Sequence, residues 1–137
     1  MSPEQIALVR SSWKRIAPSR EQAAALFLCR LFELDPSIRA LFKGNSAEQV
    51  QKMTSVVGSI VNNLDNLEQL LPPARDLGRR LANHGMRSGH YATAAIALLW
   101  TLEKDMGPDF TVPLREAWTA AYMTLTAVMK DAACSPA

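Results

Sequence analysis

The chain has 137 residues, about the length of one domain and enough to bury a core without disulfide staples. Hydrophobic residues make up 48% and charged residues 20%, with a formal charge of +2 and no polybasic run, which argues against nucleic acid or an anionic membrane as partner. Cys29 lies inside a helical pattern and Cys134 in the tail, so the two cysteines make neither a disulfide framework nor a metal-ligand set.

Met1-Ser2-Pro3-Glu4-Gln5 reads as a helix opening and not as a charged leader, with Ser2 as cap, Pro3 at the first position and Gln5 three residues after the cap. Ile6, Val9, Trp13 and Ile16 then follow at helical spacing. Ala17, Pro18 and Ser19 break this pattern. Ser19 is expected to cap a second helix through Ala24, Phe27, Leu31 and Phe32. Asp35 and Pro36 start a short third turn that ends at Leu41, Phe42, Lys43 and Gly44.

Ser46 is expected to cap a long helix along Val50, Met53, Val57, Ile60 and Leu64, interrupted at Asp65 and Asn66. The next helix runs from about Leu67 to Asn83, with Pro72 and Pro73 expected to kink or split it and Gly85 as its C-cap. Ser88 to Met106 forms a strongly apolar helix. Gly107 and Pro108 end it, and Thr111 caps a last helix, with Pro113 in its first turn, to about residue 132. No segment has the period of a strand, and no apolar stretch approaches the ~20 residues of a membrane span. Six or seven helices in one all-α domain, in a cytoplasmic and reduced setting, is the expectation.

Residues 77–91 hold both histidines of the chain, His84 and His90, at the junction of two helical patterns. Imidazole is the commonest protein ligand of haem iron, so this placement reads as one side of a haem pocket.

Taken in order, the marks along the chain resemble a globin of the bacterial single-domain kind, related to neuroglobins and flavohaemoglobin haem domains. They are Ser12-Trp13, Asp35-Pro36, Leu41-Phe42, Asn66-Leu67-Glu68, Leu77-Gly78-Arg79-Arg80, His90-Tyr91, Ala117-Trp118 and Ala121-Tyr122. The resemblance covers residues 1–137 as a single globin domain and implies six to eight helices around haem b. It places Phe42 flat on the ring, Gln49 over the bound gas, Met53 beside the iron and Lys52 near a propionate. Leu28 falls where many bacterial globins carry a tyrosine. The proximal histidine belongs ten residues before Tyr91, and that position is Leu81, which cannot ligate iron.

His84, one turn beyond Leu81 and displaced by ~4.5 Å along a helix axis, is the first candidate ligand. The alternative for His84 is a half-exposed histidine favoured by the helix C-terminus. His90 reads as a group at the haem edge near a propionate, with direct ligation as the lesser alternative; the remaining alternative is no protein–iron bond at all. Phe42 and Met53 also fit a plain core, and Gln49 a solvated face. Trp13, Trp100 and Trp118 read as core anchors. Arg79, Arg80 and Arg87 read as a solvated face, with Arg87 nearest a propionate. The implied function is reversible binding of oxygen, nitric oxide or carbon monoxide, for oxygen transport or nitric oxide handling. A reductase would supply electrons to a monomer or homodimer, and nitric oxide dioxygenation or weak peroxidase activity would be the enzymatic variants. The competing readings are a globin fold without stable haem that works through protein contacts, and a haem-exchange or haem-sensing protein.

Overall fold

Ser2 fixes where the first helix starts. Its hydroxyl accepts from the Gln5 N–H at 3.1 Å, and its own N–H donates to Gln5 Oε1 at 3.0 Å, a reciprocal capping box. The structure, a computed structural model, describes residues 2–41, 46–83, 85 and 87–134. The helices are α1 (Pro3–Arg15), α2 (Arg20–Leu34), α3 (Ser46–Asn62), α4 (Leu67–Asn83), α5 (Ser88–Met106) and α6 (Val112–Cys134). Single 3₁₀ turns lie at Ala17–Ser19, Pro36–Leu41 and Gly107–Asp109. Among the described residues there is no strand.

Three expectations change. Ser19 stands at the start of α2 but makes no cap; its hydroxyl donates instead to the Asp105 carboxylate at 3.0 Å, because α2 runs beside the end of α5 and offers a charged acceptor there. Of the kink or split expected at Pro72 and Pro73, the split does not occur: α4 is one helix through both. Leu70 and Ala74, 1% and 0% exposed, anchor it to the core on either side of the proline pair, and that burial outweighs the two backbone bonds that proline cannot make. Trp100 is no core anchor: it is half-buried, under the Arg30 guanidinium at 5.1 Å and the Lys104 ammonium at 5.9 Å.

Two apolar clusters hold the helices together. The larger joins α1, α3, α4, α5 and α6 around Val9, Ile60, Leu70, Leu102, Leu114 and Trp118. Trp118 Nε1 donates to Ser12 Oγ at 2.9 Å, and Ser12 donates to the Val9 carbonyl at 2.9 Å, so the buried polar atoms of the α1–α6 contact are paired. The smaller cluster packs Leu28 and Leu31 of α2 and Ile38 of the 3₁₀ turn on Ala94 and Ala97 of α5. α2 and α5 are antiparallel, since Ser19 meets Asp105, Arg30 meets Trp100 and Asp35 meets His90.

Candidate functional site

The antiparallel α2–α5 pair brings the end of α2, the 3₁₀ turn Pro36–Leu41 and the start of α5 to one end of the molecule. α5 starts a few residues after α4 ends, so the last turn of α4 belongs to the same end. Leu28, 6% exposed, lies in the apolar α2–α5 wall beside Leu31 and Ile38. Leu77 and Leu81 are half-buried on α4, and Leu77 packs on the larger core. After α4, Gly85 takes a φ of 100°, and its N–H donates to the Ala82 carbonyl at 3.0 Å. A side chain rarely adopts that backbone angle, which is why glycine serves as the stop.

His90 occupies the first turn of α5. Its Nδ1 accepts the Arg87 N–H at 2.9 Å, so the proton of the neutral ring sits on Nε2, which faces Asp35 Oδ2 at 3.7 Å. The Asp35 carboxylate accepts from the Ser37 hydroxyl at 2.6 Å and the Ser37 N–H at 3.0 Å. Those bonds, with a smaller contribution from His90, hold the Asp35 carboxyl below the usual carboxylate range against a partial desolvation. The sequence marks Asp35 only as a turn residue, and nothing local in it links Asp35 to His90.

Two polar atoms nearby are buried with no hydrogen-bond partner among the described residues: the Tyr91 hydroxyl and Arg79 Nε. Burial pushes the Tyr91 phenol up, so the group is a donor and not an anion. Tyr122 crosses from α6, and its hydroxyl donates to the Tyr91 carbonyl at 2.6 Å. Arg87 is exposed. Phe42 and His84 lie outside the described residues. Gln49, Lys52 and Met53 lie on α3, in its first half, with their side chains outside the described set.

Among the described residues, no cluster of three histidine, cysteine or carboxylate groups could hold a bare ion. An apolar wall, together with two buried donors that lack a described partner, suits a flat, largely apolar group instead. A porphyrin carries its own four nitrogen ligands and asks the protein for one axial donor and partners for its carboxylates.

Comparison with known proteins agrees with this architecture. The family model described as Globin matches residues 25–129, and the chain belongs to the globin family. It is 28% identical to a neuroglobin of Danio rerio, covering 94% of this chain and 90% of the relative. A neuroglobin of Dissostichus mawsoni is 29% identical over 96% and 91%. An engineered carbene transferase from Rhodothermus marinus superposes with a TM-score of 0.87 at 26% identity, covering 97% of this chain and 93% of that one. A hexacoordinated haem protein from an anhydrobiotic tardigrade superposes with a TM-score of 0.84 at 17% identity, over 98% and 96%, and shares the fold. The all-α globin fold expected from the sequence is the fold observed.

Proposed function

We propose that this globin binds haem b and, through it, a diatomic gas reversibly, with His84 as the protein ligand to iron. The observation that carries the reading is the engagement of the other imidazole. The chain has two histidines, and both nitrogens of His90 already face partners, Arg87 N–H on one side and Asp35 on the other. His84 follows the last residue of α4 and precedes the glycine stop. The family, and a solved neighbour described as a hexacoordinated haem protein, support haem as the cofactor.

Haem iron, when bound, supplies an open coordination position for oxygen, nitric oxide or carbon monoxide. In this reading the chain's own residues do the rest. Phe42 would pack against the ring, as the family resemblance implies, and Leu28, Met53 and Leu81 would keep water out. Lys52 and Arg87 would meet its propionates, and His90 and Tyr91 would border the ring. The amide of Gln49 would be the donor to the gas, since Leu28 has no hydroxyl to offer.

A second reading follows from one residue. Leu81 stands at the position where the family carries its iron-ligating histidine, which favours a globin fold that has given up stable haem and acts through protein contacts. The absorption spectrum of protein purified with hemin supplied separates the two. A Soret band with a stoichiometric pyridine-haemochrome yield is expected, and a colourless chain overturns the gas-binding reading.

A further inference from the structure

One side of α6 packs on the rest of the fold, where Leu114, Trp118 and Met129 are buried. The other side is left open. Val112, Glu116, Met123, Ala127 and Lys130 are exposed there, with Thr119 half-buried among them. Consecutive members of this set are three or four residues apart, so at 3.6 residues per turn they fall within an arc of about 80°. Val112 is 68% exposed and Met123 65%, more than any other large apolar side chain among the described residues. An apolar stripe with charges at its ends is a common form of protein contact surface.

About Met123 the stripe is symmetric in size and antisymmetric in charge. Glu116 stands seven residues before it and Lys130 seven after, ~10 Å to either side along the axis. Thr119 and Ala127, both small, stand four residues to either side. Neither Glu116 nor Lys130 makes an ion pair among the described residues, whereas Arg115 beside them pairs with Glu103 of α5 at 3.9 Å. The Lys130 ammonium lies 5.6 Å from the centre of the Tyr91 ring and keeps its exposure. The Thr119 hydroxyl donates to the Arg115 carbonyl at 2.8 Å, so covering the stripe would leave that group paired. On α5, Ile96 is 58% exposed and lies between the two contacts that run α5 antiparallel along α6, Glu103–Arg115 and Tyr91–Tyr122.

We infer that this stripe is the seam of a homodimer, in which α6 packs antiparallel on α6 of a second copy about a two-fold axis at Met123. Glu116 of each copy then meets Lys130 of the other, and the two Met123 side chains meet at the centre. The small Thr119 and Ala127 let the helices approach between the centre and the charged ends. A parallel pairing in the same register would set Glu116 against Glu116 and Lys130 against Lys130, so the charges also select the direction. A foreign partner would not require opposite charges at equal and opposite offsets from one residue; a two-fold axis does. Closure about that axis uses the whole seam, and assembly stops at two copies.

Sedimentation velocity of the full chain, supplied with hemin, tests this across the micromolar range. A reversible monomer–dimer equilibrium with no larger species is expected. Met123→Glu sets two like charges at the centre and should raise the dissociation constant about thirtyfold or more. Glu116→Lys alone, and Lys130→Glu alone, each turn both attractive end contacts into repulsive ones and should weaken the dimer about tenfold or more. An equimolar mixture of those two variants should form a mixed dimer about as tight as the parent's, since one copy then carries only positive ends and the other only negative ones. The double variant Glu116→Lys/Lys130→Glu should recover the parent constant within about threefold. Glu21→Lys, an exposed change on α2, should leave it within about twofold. Far-UV circular dichroism confirms that each variant is folded. A chain that sediments as a monomer throughout overturns the proposal, as does a dimer that Met123→Glu leaves intact. So do single charge variants that dimerise as the parent does, which a parallel seam would give, or a weakening by Glu21→Lys equal to theirs. None of these readouts needs haem: a colourless chain that dimerises in this way removes the gas-binding reading and leaves the seam.

Discussion

Gly78 of α4 lies against the backbone of Met129 in α6, so close that a Cβ on residue 78 would sit 2.5 Å from the Met129 carbonyl oxygen and 2.7 Å from its Cα. The missing side chain lets α4 approach α6 and sets the height at which its last turn, and therefore residues 81–85, meets the rest of the fold. At an open helical site, alanine would gain about 1 kcal/mol over glycine. Here the obstacle is backbone, which cannot swing aside, and overpacking of this kind costs about 1–3 kcal/mol. Gly78→Ala is therefore expected to lower the thermal midpoint despite its better propensity. Gly89→Ala, where a Cβ would meet nothing within 4 Å, should hold or raise it. Differential scanning calorimetry of the pair decides the sign.

Arg10 ties α1 to the end of α3 through the Val61 carbonyl at 3.3 Å, the Asn62 carbonyl at 2.7 Å and the Asp65 carboxylate at 2.6 Å. The hydrogen bond from Arg10 holds the Asp65 carboxyl below the usual carboxylate range, as Ser37 does for Asp35. A carboxylate with a lowered folded-state pKa contributes stability that is complete above the unfolded value and fades as pH falls through the folded one. Urea midpoints should accordingly decline between about pH 5 and about pH 2. Asp65→Asn should start lower at neutral pH and decline less steeply. Arg10→Ala should cost more than Asp65→Asn at neutral pH, since it also strips two carbonyls of their donor. A parent midpoint that does not move over this range contradicts the assignment.

The helix boundaries were legible where the physics is local. Ser2 with Gln5, and Thr111 with Leu114, announce their caps within four residues, and Gly85 and Gly107 mark chain reversals by their positive φ. What the sequence concealed depends on partners far along the chain. The Ser19 hydroxyl turns from its own helix to Asp105, and the proline pair is overruled by burial of Leu70 and Ala74 against other helices. The same holds for the candidate site. His90 and Tyr91 stood out by type and spacing, but the Asp35 carboxylate facing His90 and the orphaned donors of Tyr91 and Arg79 exist only once α2, α4, α5 and α6 are assembled.

The two histidines should separate cleanly. His84→Ala is expected to abolish the Soret band or shift it to that of free hemin, with loss of most of the pyridine-haemochrome yield. His90→Ala removes the acceptor of the Arg87 N–H and should cost about 1 kcal/mol, the usual worth of a helix cap, while the iron spectrum stays. If His84→Ala keeps its spectrum and His90→Ala loses it, the ligand assignment is reversed.

The distal side offers a sharper test of chemistry. Leu28 is 6% exposed and lies among Leu31, Ile38 and Ala94, a setting that presents only hydrocarbon from α2. If Gln49 is the sole donor to the gas, oxygen should leave quickly and the ferrous protein should autoxidise readily. Leu28→Tyr adds a hydroxyl at that position. One further hydrogen bond of about 1.4 kcal/mol would slow oxygen release about tenfold, and Gln49→Leu in the parent should quicken it by a similar factor. The added ring must find room in a packed wall, so part of the gain will be offset by about 1–3 kcal/mol of lost stability, read independently by thermal denaturation. Slow oxygen release in the parent itself, measured by laser photolysis or ligand replacement, would mean that a donor other than Gln49 reaches the gas.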